Sequence, residues 1–207
     1  MMRFLKRALL LALTAWLLVV SVGVIQDQKV LRENLVRLHV VANSDTPEDQ
    51  ALKYQVRDAV MERLGQTVGH WATAQEARQQ LQGMLQELSN TANRALESAG
   101  SALQATVTLT QEQFPEREYE TFRLPSGIYE ALKITIGAGQ GENWWCVVFP
   151  SLCMPASGTS FQQTAQTAGI SDRLGRTLTR DSGPYAVRFK LLDWLGQLEE
   201  RLFGSHH

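Results

Sequence analysis

The sequence contains few of the side chains that bind metals or act as nucleophiles beside a base. Of its 207 residues, two are cysteine and four are histidine, and two of those histidines stand in the terminal Gly-Ser-His-His. A metal site needs several ligands at close spacing, and no such cluster occurs along the sequence. No G-x-S-x-G motif places a serine on a strained turn. The sequence therefore predicts no catalytic residues, no metal site and no cofactor.

Positive charge is not in excess either. The chain has 20 basic and 21 acidic residues, and its formal net charge is −1. Three of the basic residues, Arg3, Lys6 and Arg7, precede the first apolar segment, so the remainder of the chain is mildly acidic. No stripe of basic residues runs along any predicted helix or strand, which argues against nucleic-acid binding. There is also no sustained repeat.

One long apolar segment is present, at the N-terminus. Residues 8–25 are apolar apart from Thr14, Ser21 and Gly23, and as a helix they would span about 27 Å, close to the hydrocarbon thickness of a bilayer. The basic flank should stay cytoplasmic, which places the rest of the chain across the membrane. Ser21-Val22-Gly23 offers small residues for cleavage after Gly23, yet the apolar run is long for a signal peptide. Residues 1–28 are therefore a signal peptide or a membrane anchor.

Export would place the two cysteines in an oxidising compartment. In an oxidising compartment a pair of cysteines normally forms a disulfide, and Cys146 and Cys153 are separated by only a short loop. We expect a disulfide between them. Free structural thiols and cysteine chemistry remain the alternatives.

The first hundred residues predict one strand and two helices. Leu35 to Ala42 alternates as a strand does. Thr46-Pro47-Glu48-Asp49 supplies a hydroxyl cap and a proline at the first helical position, which predicts a helix to about Leu64. Thr73-Ala74-Gln75-Glu76 is a capping-box sequence, and the second helix should end at Gly100.

The middle of the chain changes its apolar period from 3.6 to 2. Strands are predicted over 105–110, 119–124, 128–136 and 144–149. A strand, two helices, a run of strands and a final helix predict an α+β fold, with a mainly antiparallel sheet of about four to five strands. Residues 29–150 form the body of this fold.

The composition changes after Pro150. Residues 151–183 are rich in Ser, Thr, Gln and Gly and show little apolar periodicity, which predicts a long mobile loop. Pro184 then begins an amphipathic stretch, so residues 184–207 are predicted to be a C-terminal helix that packs on the body.

The glycine run Gly137-Ala138-Gly139-Gln140-Gly141 could suggest a phosphate-binding loop. That interpretation needs a helix directly after the glycines, and the residues that follow are strand-forming instead. We interpret the run as a hairpin loop. Trp144 and Trp145 should point to opposite faces of the following strand.

Two groups of polar residues could suggest catalysis. His39, Ser44 and Asp45 lie close in sequence, but His39 alternates away from the apolar side of its strand and is expected to be a surface or edge-strand histidine. Asp45 is explained by the turn before the helix. The acidic residues Glu118, Glu120 and Glu130 have no second carboxylate in a recognisable frame for glycoside cleavage.

Long motifs in this chain resemble the stage II sporulation protein R family. The first is R-L-H-V-V-A-N-S-D-T-P-E-D-Q-A-L-K over 37–53, continued by V-R-D-A-V over 56–60. The others are L-P-S-G-I-Y-E-A-L over 124–132, G-E-N-W-W-C-V-V-F-P over 141–150, and V-R-F-K-L over 187–191 with Trp194. The resemblance covers the chain from about 35 to 203, apart from 155–182.

The resemblance implies a role in signalling during endospore formation. Members of the family are made in the forespore, are exported into the intermembrane space, and trigger a membrane-embedded aspartic protease of the mother cell that processes pro-sigma-E. We expect this chain to be such a ligand, secreted or membrane-anchored, with membrane contact through 8–25 if the segment is uncleaved. The alternatives are an extracytoplasmic hydrolase acting on peptide or cell wall, and a passive anchored structural protein.

The contact surface for this partner is predicted around the glycine run. Aromatic side chains are frequent hot spots at interfaces, and glycines let a partner backbone approach closely. The alternative is that the two turn residues only build the turn and that both tryptophans are packed. The predicted partner-binding residues are Asn43, Asp45, Gly139, Gly141, Asn143, Trp144 and Trp145.

Overall fold

The computed structural model describes residues 2–152 and 161–179. This part of the chain is an α+β fold, as the sequence predicts. Its elements, in chain order, are α1 Met2–Asn34, β1 Val36–Val41, α2 Pro47–Gly65, a 3-10 turn Val68–His70, α3 Ala74–Ser98, β2 Ala105–Phe114, β3 Arg117–Glu118, β4 Arg123–Leu124, β5 Gly127–Ile136, β6 Asn143–Phe149, α4 Phe161–Thr167 and α5 Asp172–Leu178.

The two long body helices begin where their caps predict. The Thr46 side chain accepts a hydrogen bond from the N–H of Asp49 at the start of α2. Thr73 accepts one from the N–H of Glu76 at the start of α3. In both cases the hydroxyl satisfies a backbone donor that the first turn leaves unpaired.

The main sheet has four strands in the order β2-β5-β1-β6. β2 pairs antiparallel with β5, β1 pairs antiparallel with β6, and the central pair β1 and β5 is parallel. The parallel pair is possible because α2, α3 and β2 lie between β1 and β5 in the chain and supply the crossover. β1 therefore lies inside the sheet, with all six of its residues buried.

Each face of the sheet is covered by its own apolar cluster. On one face, Leu38, Leu132 and Ile134 pack with residues of α2 and α3. On the other face, Ala131 and Val147 belong to a second cluster that includes residues of α1, α4 and α5. The alternation of side chains along each strand divides the two clusters.

The N-terminal helix changes its surroundings along its length. Its first part is apolar and exposed, as at Phe4 and Leu9, and it is long and apolar enough to cross a membrane. Its last turns are packed on the domain, where Val24 and Leu31 are buried. The helix is continuous from its exposed apolar part to its last turns, which pack on the domain.

Two predictions about the second half of the chain are wrong. The segment 119–124 is not a strand of the main sheet: β3 and β4 form a separate two-stranded ladder, closed by the Tyr119 N–H donating to the Phe122 carbonyl. The interpretation of 151–183 as a loop fails over 161–179, where α4 and α5 bury Ala165 and Leu174. The predicted helix 184–207 and Cys153 lie outside the described residues.

Candidate partner-binding surface

The loop between β5 and β6 is not the predicted hairpin loop, because β1 lies between these two strands in the sheet. It is held against the turn that follows β1. The Ala138 N–H donates to Asn43 Oδ1 at 2.8 Å, and Asn43 Nδ2 donates to Asp49 Oδ2 at 2.8 Å. The Glu142 N–H donates to Asp45 Oδ1 at 2.7 Å. These bonds give Asn43 and Asp45 a structural role in the turn. Contact of either residue with a partner stays a prediction.

The glycines of residues 137–142, the glycine loop, are required by close packing. Gly139 has a φ of +62°, and a Cβ at this position would lie 2.6 Å from Thr135 Cγ2. A Cβ at Gly141 would overlap the carbonyl oxygen of Ser44 and lie 2.9 Å from Ala42 Cβ. A side chain at Gly141 would push the loop off the turn, and one at Gly139 would collide with Thr135 of β5. The two glycines therefore allow the loop to pack closely against both segments.

Lys53 joins α2 to the same loop. Its side chain is almost fully buried, and Nζ donates to the Glu142 carbonyl at 3.1 Å and to Gln50 Oε1 at 2.5 Å. Burial lowers the pKa of Lys53, while the nearby Glu142 carboxylate acts in the opposite direction. The glycine loop is thus tied to α2 as well as to the turn.

Trp144 forms a half-exposed aromatic surface with two residues of α2. The Arg57 guanidinium lies 4.4 Å from the Trp144 ring centroid and 4.9 Å from that of Tyr54. The two rings meet edge to face with centroids 5.7 Å apart. Tyr54 is 41% exposed. We call Tyr54, Arg57 and Trp144 the Trp144 surface; arginine and aromatic residues are the types enriched at interface hot spots.

Trp145 lies on the opposite face of β6, as the alternation predicts, and stacks on His39. Their ring centroids are 3.8 Å apart at an angle of 16°. His39 Nδ1 lies 2.7 Å from Glu112 Oε2, and Nε2 lies 2.8 Å from Asn143 Oδ1. The prediction of a surface or edge-strand His39 is wrong, because β1 is a central strand and the residue is only 7% exposed.

Glu112 is the shared partner in this charged network. Its Oε1 accepts from Lys133 Nζ at 2.5 Å, while its Oε2 faces His39. Burial alone would raise the pKa of Glu112, but the hydrogen bonds from Lys133 and His39 outweigh it, and the pKa lies below its ordinary value. Glu112 is therefore held as a carboxylate.

The described residues bring no nucleophile to His39. Both of its ring nitrogens face partners within the fold. Ser44, which the sequence places nearby, donates instead to Asp49 Oδ2 at 2.5 Å. Within residues 2–152 and 161–179 no three His, Cys, Asp or Glu side chains are grouped as metal ligands. The His39–Glu112 pair links β1 to β2 across one face of the sheet.

Sequence reasoning missed Glu112 and Lys133. The register pairs Lys133 with both His39 and Thr108. Glu112 lies on the same side of β2 as Thr108, because side chains alternate along a strand. The side chains of His39, Lys133 and Glu112 therefore point to the same face of the sheet. A polar residue at alternate positions of three strands was the signal that could have suggested the network. That signal is informative only when the strand order β2-β5-β1-β6 is known, and the apolar periodicity of the sequence does not reveal the strand order.

The described residues thus define an α+β domain behind an apolar N-terminal helix, with a half-exposed aromatic surface beside a rigid loop. Residues 32–158 match the model of the family described as Stage II sporulation protein R, so this chain belongs to that family.

One relative is Stage II sporulation protein R of Bacillus subtilis (strain 168). It is 38% identical over 124 residues, which cover 60% of this chain and 55% of the relative. The alignment therefore spans little more than half the length of that protein. No solved structure matches the chain.

Proposed function

We propose that this chain is a sporulation signalling protein that activates the membrane-embedded aspartic protease of the mother cell by binding to it, so that the protease processes pro-sigma-E. Membership of the stage II sporulation protein R family supports the sporulation role. The observation that carries the binding role is the Trp144 surface, which places an arginine against two aromatic rings beside a hydrogen-bonded loop.

The Trp144 surface suits binding because its shape is fixed before a partner arrives. Arg57 is held by both rings, and Asp58 Oδ1 accepts from its Nε at 2.7 Å. The neighbouring glycine loop is held by the turn and by Lys53. A surface that is already ordered loses little conformational entropy on binding.

The chain acts from the far side of the forespore membrane in this proposal. It is exported into the intermembrane space, where the apolar part of α1 serves as the signal peptide or as an anchor. Cys146 lies in β6 beside Leu38, and it pairs with Cys153 in that oxidising compartment.

A reconstituted assay tests the proposal. The full chain, the protease and its precursor substrate are combined in membranes, and precursor cleavage is followed as the chain is titrated. A stoichiometric ligand gives cleavage that saturates near one equivalent and requires the protease. An unchanged cleavage rate at every concentration would exclude the ligand and leave the hydrolase and the passive anchored protein as alternatives.

A second candidate, an extracytoplasmic hydrolase acting on peptide or cell wall, is favoured by the His39–Glu112 pair. A carboxylate that orients an imidazole is part of many hydrolytic sites. In this chain the imidazole is buried and its second nitrogen faces Asn143. Turnover of a peptide or cell-wall substrate by the chain alone, lost in His39→Gln, would select the hydrolase.

A further inference from the structure

The outer edge of β2 is a ten-residue strand edge at one end of the main sheet. β2 pairs with β5 along its whole length in continuous register, without a bulge. The Gly137 N–H donates to the Gln104 carbonyl at 2.9 Å, which sets the alternation of the ladder. Even-numbered residues of β2 bond to β5, and odd-numbered residues direct their N–H and C=O groups outward.

The outward backbone groups of Ala105 are hydrogen-bonded to side chains of α3. Asn93 of α3 donates from Nδ2 to the Ala105 carbonyl at 3.2 Å and accepts from the Ala105 N–H at 2.7 Å. Ser89 donates to the same carbonyl at 3.3 Å. The amide of Asn93 thus occupies the position that the backbone of a neighbouring strand would take.

Beyond Ala105, no described segment pairs with the outer edge of β2. Within the described part of the chain, no hydrogen bond is made to the outward backbone groups of the four following odd-numbered residues, Val107, Leu109, Gln111 and Gln113. These eight groups alternate as donors and acceptors along the strand. Their complement is the backbone of another extended segment.

This edge also lacks the features by which proteins protect edge strands. Between Ala105 and Phe114 there is no proline, lysine, arginine or bulge. The single charged residue, Glu112, is held on the sheet face by His39 and Lys133. Nothing in the strand itself opposes the addition of a further strand.

The two sides of the edge differ in polarity. On the side of α3, the half-buried Leu109 and Leu85 both border the apolar cluster. On the other side, Thr106 and Thr108 are exposed. A strand added here would continue both surfaces if its side chains alternated between apolar and polar.

We propose that the edge from Val107 to Gln113 binds an extended segment of the partner protease, of alternating apolar and polar side chains, as a fifth strand of the sheet. This inference rests on the proposed function and names how the partner is held. The site lies on the opposite sheet edge from β6 and the Trp144 surface, so the two contacts are separable by substitution.

Gln111→Pro tests the edge. Proline removes one outward N–H and its ring blocks a neighbouring strand, while an edge position that does not bond to β5 tolerates it. In the reconstituted assay we expect Gln111→Pro to need about tenfold more chain for the same precursor cleavage. The matched control Gln111→Ala keeps the N–H and should behave as the unsubstituted chain. Equal activation by the proline and alanine variants would overturn the inference.

Amide exchange on the unsubstituted full chain gives a second measurement that does not depend on the variant folding. Synthetic peptides covering the extracytoplasmic segments of the protease are added one at a time. At least one should slow exchange at Val107, Leu109, Gln111 and Gln113, and no slowing by any peptide would refute the edge site. Failure of the unsubstituted chain to activate the protease counts against the proposed function instead.

Discussion

Arg37 is a fully buried arginine whose hydrogen-bond partner is a tyrosine hydroxyl. Its Nη2 donates to Tyr119 Oη at 2.7 Å, and its guanidinium lies 4.0 Å from the Phe114 ring centroid and 5.0 Å from that of Tyr129. Its Nε and Nη1 have no hydrogen-bond partner in the described structure. Aromatic faces therefore replace part of the hydration that this cation loses.

Tyr119→Phe should destabilise the fold by about 1.5–3 kcal/mol, because it removes the hydrogen bond to a buried charged group. In an Arg37→Met background the same change should cost little, since methionine has no donor to leave unpaired. Urea unfolding in mild detergent of both singles and the double variant measures the coupling. Equal losses in the two backgrounds would show that the hydroxyl does not serve Arg37.

The Glu112 network predicts a pH dependence of stability. The pKa of Glu112 is lowered in the folded chain, so its contribution is present above the unfolded value of about 4.3 and is lost as the pH falls through the folded value. Glu112→Gln should cost about 1–3 kcal/mol at pH 7, and the difference from the unsubstituted chain should shrink as the pH falls below about 4.

Urea unfolding of Glu112→Gln and of the unsubstituted chain, at pH 7 and below about pH 4, checks this prediction. Glu33→Gln is the control, because Glu33 is 56% exposed and pairs with Lys29 at 3.8 Å, and exposed pairs contribute little. A Glu112→Gln penalty that stays constant down to low pH would contradict the ionised state assigned to Glu112.

At the scale of elements, the glycine loop owes its position to packing. Gly141→Ala places a methyl group against the Ser44 carbonyl and should cost about 1–3 kcal/mol. Gly83→Ala is the matched control, because Gly83 lies within α3 with no atom near its Cβ position. That change should instead stabilise the chain by about 0.5–1 kcal/mol. Thermal unfolding of both variants tests the pair, and a neutral Gly141→Ala would contradict the tight loop.

The disulfide is a prediction at the same scale. Closing the loop from Cys146 to Cys153 should add about 2.5 kcal/mol of stability in the absence of strain. The chain exported to an oxidising compartment should show no free thiol on titration, and Cys153→Ser should melt earlier than the oxidised parent. Two titratable thiols in the exported chain would rule the bridge out.

The elements that sequence reasoning located are those with local signals. The starts of α2 and α3 were predictable because Thr46 and Thr73 each cap a first turn. The position of His39 was not, because alternation divides the two faces of a strand without showing whether the second face is covered. Here residues of α1, α4 and α5 cover part of that second face.

The short helices α4 and α5 were not predicted, for a related reason. α4 and α5 are seven residues each, too short for apolar periodicity to stand out among Ser, Thr and Gln. Their buried residues pack in the same apolar cluster as Val24 and Leu31 of α1, and Arg173 Nη2 of α5 donates to Asp27 Oδ1 at 3.0 Å, across 146 positions of sequence. The parallel pairing of β1 with β5 likewise joins distant segments, which a search for hairpins does not reveal.

At the scale of the whole molecule, the described residues expose large apolar side chains along α1, at the Trp144 surface and at Ile128. Outside α1, the described residues classed as large, apolar and exposed are Tyr54 and Ile128. Tyr54 belongs to the Trp144 surface, whereas Ile128 is an isolated side chain of β5. An isolated exposed apolar residue needs no functional explanation, which makes Ile128 a suitable control.

The most direct test of the account compares Trp144→Ala with Ile128→Ala in the reconstituted assay, with thermal unfolding measured on the same preparations. Removal of an aromatic hot spot commonly costs 2 kcal/mol or more, so about thirtyfold more Trp144→Ala should be needed for the same precursor cleavage. Ile128→Ala should activate normally, and Trp144→Ala, although it loses packing against the apolar cluster, should remain folded at the assay temperature. Normal activation by folded Trp144→Ala, or a loss that only follows lost folding, would contradict the account.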